Sequence, residues 1–187
     1  MTSQHAATLS KCLVCTRQQR SNWRHMMPHT TEARLNEMGI ILPRRPKPIG
    51  NYLPGVVVGN ILYTSGTLGT QPDENDNDVL PHVGKVGSDL TIEEGYASAR
   101  LMAINHLAMM KAVLGDLDRV KRIVKMIGYI SCAPGFTEPH RVLNGASDLF
   151  VALWGEENGK HARAALTQHE LGLNAPVEAD ITIELHA

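Results

Sequence analysis

Two residues near the end of the chain have the types and spacing to hold a small acid. Arg163 lies in the small-residue run Lys160-His161-Ala162-Arg163-Ala164-Ala165-Leu166. Glu178 follows Asn174-Ala175-Pro176-Val177 and opens a second strand-like run, residues 177–185. A planar guanidinium presents paired N–H donors that match both oxygens of a substrate carboxylate. Two strand-like runs joined by a short loop are expected to pair as neighbours. That pairing would set Arg163 and Glu178 on one cleft. The same pair also suits a structural ion pair between strands, since most arginines and glutamates are structural or solvated.

The elements that must position these residues come from a chain of 187 residues, long enough for one domain with a substantial core. Aromatic residues make up only 4%, so Val, Ile, Leu, Met and Ala must build that core. A core so poor in rings offers few platforms for stacking bases. A formal net charge of -1 gives no general attraction to nucleic acid or to an anionic membrane. The cysteines, Cys12, Cys15 and Cys132, are too few and odd in number for a disulfide framework. A reducing compartment, the cytoplasm, is expected. No apolar run of about 18 residues is present to cross a membrane, and the N-terminus lacks a secretory core and cleavage site.

Residues 1–31 contain no Asp or Glu but hold Lys11, Arg17, Arg20 and Arg24. They are expected to be a disordered basic tail ahead of a single domain at residues 32–187. Their apolar residues are too sparse for the amphipathic helix of a transit peptide. Cys12-x2-Cys15 and His25-x3-His29 supply zinc-ligand types, but the gap between the pairs is short and the packing residues of a finger are missing, so no metal site is assigned. Met27 offers an alternative start, and residues 1–26 are expected to be dispensable.

A short helix is expected over residues 31–39, closed by Gly39. Pro43-Arg44-Arg45-Pro46-Lys47-Pro48 reads as an extended, solvated lead-in. Val56-Val57-Val58 and residues 61–66 form a hairpin about Gly59-Asn60. The acidic stretch 71–81 reads as a solvated loop, and residues 82–87 as a short strand. Thr91-x2-Glu94 is a capping box that opens a helix ending at Gly115. On it His106 reads as a structural histidine. A strand over 120–132 and a helix over 139–154 precede the two closing strands. The order implies an α+β fold, one mixed β-sheet with two helices packed on one face. The other face is left to bury against another copy, so a homo-oligomer is expected.

From Pro48 onward the chain resembles the RidA (YjgF/YER057c/UK114) family. The matching stretches are Pro48-Ile49-Gly50-Asn51-Tyr52, Gly59-Asn60 with Thr64-Ser65-Gly66, and Gly84-Lys85-Val86-Gly87. Val142-Leu143-Asn144-Gly145-Ala146-Ser147-Asp148, His161-Ala162-Arg163 and Pro176-Val177-Glu178 follow in family order. The resemblance implies a chorismate-mutase-like fold, a homotrimer with clefts between subunits, and hydrolysis of reactive enamines and imines to 2-oxo acids and ammonia. It further implies that Arg163 clamps the substrate carboxylate and Glu178 orients water. Tyr52, Ser65 and Asn144 would fall on other cleft positions, with backbone near Ala165 assisting.

Such chemistry needs no metal or organic cofactor, because a 2-imino acid already carries an electrophilic carbon that must only be held and supplied with water. The chain departs from the family pattern where Ala165 replaces a usual Ser or Cys, where Thr67 replaces a frequent Gln, and where Gly172 follows Leu171 in place of Pro. The first two remove polar side chains from the cleft. They favour an alternative, a non-catalytic trimer that binds small metabolites. Ribonuclease activity, assigned to some members, sits poorly with the near-neutral charge, and chorismate mutase rests on fold analogy alone.

Overall fold

The computed structural model describes residues 30–187. Cys12, Cys15, His25, His29 and the other residues of the basic tail up to 29 therefore lie outside the described residues. Residues Thr31–Ala187 form one compact unit. Its elements are helix α1 (Thr31–Glu37), strands β1 (Gly55–Val58), β2 (Ile61–Thr64), β3 (Thr67–Leu68), β4 (Gln71–Pro72) and β5 (Asp78–Val79), helix α2 (Ile92–Leu114), strand β6 (Val120–Ser131), helix α3 (Pro139–Gly159), and strands β7 (Ala162–Gln168) and β8 (Val177–Leu185).

The main sheet runs β1-β2-β8-β6-β7, with β3 also paired to β8. β6 and β7 are parallel; the other pairings are antiparallel. β8 takes the centre because its residues alternate strictly. Val177, Ala179, Ile181, Ile183 and Leu185 are buried, and the residues between them are not. Thr64 carries the sheet across the break at Ser65-Gly66: its Oγ1 accepts from Ile181 N at 3.0 Å and donates to Ile181 O at 3.2 Å.

α2 starts where its capping box places it. Thr91 Oγ1 accepts from Glu94 N at 3.1 Å, and Thr91 N donates to Glu94 Oε2 at 2.8 Å. Gly115 closes it with a positive φ of 80°. Ala99, Ala103, Leu107 and Met110 of α2 meet Leu143, Ala146, Leu149 and Phe150 of α3 and the inner face of the sheet in one core. α3 can lie close to α2 because a Cβ on Gly145 would run into the backbone of Tyr96. Among the described residues the opposite sheet face carries no helix, and Val56, Val58 and Tyr63 are exposed on it.

Three expectations are corrected. β7 and β8 are not neighbours: β6 lies between them and pairs with both. Residues 82–87 make only isolated bridges at Val86. The basic lead-in and the acidic loop are not independently solvated, because Arg44 Nε pairs with Asp76 Oδ1 at 2.5 Å and Arg44 Nη1 with Asp78 Oδ1 at 2.9 Å. Lys47 Nζ adds a pair to Asp76 at 3.1 Å. The loop itself folds back as the small ladder of β4 and β5. Among the described residues no helix is long and apolar enough to cross a membrane.

Candidate functional site

Arg163 projects from β7, an edge strand, and α3 holds it. Its Nη1 donates to Asn144 Oδ1 and to Ser147 Oγ, each at 2.9 Å. Its Nη2 donates to the His140 carbonyl at 3.3 Å. Helical spacing puts Asn144 and Ser147 on one face, three residues apart. A guanidinium has five N–H donors, so among the described residues these three bonds leave Nε–H and one hydrogen of Nη2 for a ligand. Burial pulls this guanidinium below its ordinary pKa, and the charge of Asp148 counters the shift. Asp148 in turn accepts from the Tyr96 hydroxyl at 3.0 Å. A groove of about 260 Å³ lined by Ile92, Glu93, Tyr96, Arg141 and Asn144 opens beside this arginine's partner. Ala165 lies two residues on along the same strand face, opposite Gly128 and partly packed into the core. It brings no polar group to the arginine.

Glu178 lies at the start of β8, opposite Leu68 on one side and Tyr129 on the other. A Cβ on Gly66 would overlap Glu178 Oε1, so the glycine makes room for the carboxylate. Burial, and after it the charge of Asp180, pushes the Glu178 pKa up. Among the described residues no side-chain donor satisfies this carboxylate. Tyr129 shares the face: its hydroxyl donates to Asp180 Oδ1 at 3.4 Å, and burial with the two carboxylates raises its pKa. Ser65, next to Gly66, spends its hydroxyl proton on the Leu53 carbonyl at 2.6 Å, and its N–H bonds the Pro54 carbonyl at 3.0 Å. It thereby anchors the loop that carries Tyr52. Tyr52 shares a narrow cleft with Gly66, Thr67 and Arg45. Thr67 is buried at 7% exposure and turned toward the core.

The six candidate residues thus fall into two groups. Asn144, Arg163 and Ala165 form one; Tyr52, Ser65 and Glu178 form the other. Within one protomer Arg163 and Glu178 lie on opposite faces of the sheet. Arg163 is paired with Met126, which is fully buried beneath the helices, whereas Glu178 is paired with Tyr129. Met126 and Tyr129 are three residues apart on one strand, so their side chains point oppositely. The expectation that Arg163 and Glu178 share a cleft of one chain is therefore corrected.

Ser147, His161 and Tyr129 join the site in the structure without having been among the six candidates. The first two had a signal. Ser147 is three residues beyond Asn144 on a helix, and His161 is two residues before Arg163 on an extended run, so each shares a face with a residue already chosen. Tyr129 had none, because its place beside Glu178 depends on the pairing of β6 with β8.

Comparison with known proteins bears on this geometry. Residues 32–185 match the family described as "YjgF/chorismate mutase-like, putative endoribonuclease". The chain is 42% identical over 154 residues to Protein TCP17 of Trypanosoma cruzi, which covers 82% of this chain and 93% of that protein. Among solved structures it is similar to Atu1372 of Agrobacterium tumefaciens, a protein of unknown function, at 37% identity and a TM-score of 0.75, over 90% of this chain and 99% of that one. A Shewanella oneidensis protein described in the same endoribonuclease terms matches at 35% identity and a TM-score of 0.77, over 83% of this chain and 99% of that one.

Proposed function

The chain belongs to the YjgF/chorismate mutase-like family, and we propose from that membership and the two half-sites that it hydrolyses small 2-imino acids and their enamine tautomers to 2-oxo acids and ammonia. The observation that carries the reading is the arginine whose Nη1 is fully occupied by Asn144 and Ser147 while Nε–H and one Nη2–H remain for a carboxylate. A substrate held there presents its imine carbon to water. As the C–O bond forms, Glu178 takes one proton from that water and passes it to the imine nitrogen, giving a carbinolamine; as the C–N bond breaks and the C=O bond forms, the carbinol hydroxyl proton passes by way of Glu178 to the same nitrogen, and ammonia leaves. A carboxyl group whose proton affinity is raised by burial suits both transfers. Ser65 serves the site by holding the loop of Tyr52.

Because the half-sites lie on opposite faces of one chain, the working site joins the arginine group of one protomer to the carboxylate group of a second. A homotrimer with three such clefts is the assembly we propose, and the uncovered face bearing Val56, Val58 and Tyr63 supports it. The test is hydrolysis of 2-iminopropionate and 2-iminobutyrate, generated in situ from amino acids, by the protein and by Arg163→Ala. Loss of two charge-assisted hydrogen bonds is expected to cut the rate by about 100-fold or more. A variant as fast as the parent protein overturns the reading.

A second reading is a metabolite-binding trimer without turnover. Ala165 and Thr67 favour it, since Ala165 has no polar side chain and Thr67 is buried. Carboxylates that raise the Tm of a protein inert toward imines would be its signature.

A further inference from the structure

Behind Arg163 the hydrogen bonds continue into the protein, and the direction of each can be assigned. His161 Nδ1 lies 2.7 Å from the Gly159 carbonyl oxygen. A carbonyl only accepts, so Nδ1 carries the hydrogen. Burial lowers the His161 pKa, and the charge of Arg163 adds to that effect, so the ring is neutral and Nε2 is bare. Ser147 Oγ lies 3.2 Å from Nε2 and 2.9 Å from Arg163 Nη1. Arginine only donates, so Ser147 turns a lone pair to Arg163 and its single hydrogen to Nε2. Carbonyl, imidazole, hydroxyl and guanidinium form one chain with one consistent proton arrangement.

The sequence builds this chain deliberately at three points. Gly155 leaves helical geometry with φ 77° and ψ 176°, which lets the end of α3 turn back. Gly159 then lies so close to the Phe150 carbonyl that a Cβ would overlap it, and this contact fixes the carbonyl that orients His161. The His161 ring stands edge-on to Phe150, with centroids 6.1 Å apart and planes at 71°. The imidazole is therefore held by packing and by both nitrogens.

We infer that Ser147 and His161 are a positioning pair for Arg163: the Nδ1–H tautomer of His161 fixes the Ser147 hydroxyl, and the hydroxyl with Asn144 fixes the plane and rotation of the guanidinium that receives the substrate carboxylate. Neither residue touches the substrate. The inference rests on the reading that Arg163 binds a carboxylate, and it adds what makes that binding directional. A guanidinium with Nη1 occupied at both hydrogens cannot swing its open donors away from the cleft without breaking two bonds.

Pyruvate binding to the full-length protein, measured by calorimetry, separates the possibilities. Ser147→Ala and His161→Phe are each expected to weaken binding by about tenfold, the worth of one hydrogen bond to a charged group. His161→Gln can place its amide oxygen where Nε2 lies, and is expected to bind within about twofold of the parent protein. The double variant Ser147→Ala/His161→Phe is expected to bind no more weakly than Ser147→Ala, because both act through one link. In steady-state assays the same variants are expected to raise KM with little change in kcat.

If Ser147→Ala and His161→Phe bind pyruvate as the parent does while Arg163→Ala does not, this inference is overturned and the proposed function stands. If the parent protein binds no pyruvate, or Arg163→Ala binds it equally well, the proposed function falls and the inference falls with it. Nitrogen NMR of the His161 ring decides the matter should a variant fail to fold. The Nδ1–H tautomer is expected at neutral pH, and the Nε2–H tautomer overturns the pair.

Discussion

The Glu178 carboxylate meets opposing demands. Burial raises its pKa above the ordinary value of 4.5, and Asp180 raises it further. The folded state therefore binds this proton more tightly than the unfolded chain does. The stabilisation is full below the unfolded value and is lost as pH rises through the folded one. At neutral pH the ionised group thus opposes folding, and it persists in a position where a proton acceptor is useful. Glu178→Gln is expected to raise the Tm at pH 7 while abolishing imine hydrolysis; a variant that loses both stability and activity would mark Glu178 as structural. Asp180→Asn removes a neighbouring negative charge, so the acid limb of kcat/KM is expected to move to lower pH. A limb that stays in place or moves upward would remove Glu178 from proton handling. Its residue type and place at a strand start were legible in the sequence. Its face was not, because that depends on which strands flank β8.

At the scale of elements, α2 grips β8 through one buried histidine. His106 Nε2–H donates to the Ala179 carbonyl at 3.0 Å, next to Glu178, while Nδ1 is buried without a partner among the described residues. Burial drives the pKa of this ring down to about 4. Between pH 6.5 and about 4 the unfolded chain takes up a proton that the folded chain refuses, so stability falls as pH drops through that window. The loss approaches about 3 kcal/mol at its lower end. His106→Gln can keep a donor for Ala179 and does not titrate there. Its urea midpoints at pH 7 and pH 4.5 are expected to differ less than those of the parent; an equal difference would assign the acid sensitivity elsewhere. The sequence announced this helix because its signals are local: Thr91 and Glu94 make the cap, and Ala99, Ala103, Leu107 and Met110 make the stripe. Strand order carries no such signal. A short β7–β8 loop invites a hairpin, yet β6 has apolar residues for both neighbours, and the crossover through α3 sets β7 parallel on its outer side. Only contacts distant in sequence decide between those outcomes.

At the scale of the whole molecule, the proposed site is divided between the two faces of the sheet. Arg163 faces the helices and Glu178 faces away from them, so no one protomer can present both to the same small acid. In a cyclic trimer each cleft would take its arginine from one subunit and its carboxylate from the next. Arg163→Ala and Glu178→Gln should each be inactive alone. When the two are unfolded, mixed in equal amounts and refolded together, three of every four trimers contain both kinds of subunit by random assortment. Each mixed trimer has one cleft with an intact arginine from one subunit and an intact carboxylate from its neighbour, so about one quarter of the parent rate is expected to return. Refolding each variant alone should return nothing. A mixture that stays inactive, while parent protein treated the same way recovers, would mean that Arg163 and Glu178 do not serve one cleft across subunits. The rise in activity should also follow subunit exchange in time, because the intact cleft exists only once unlike protomers have met.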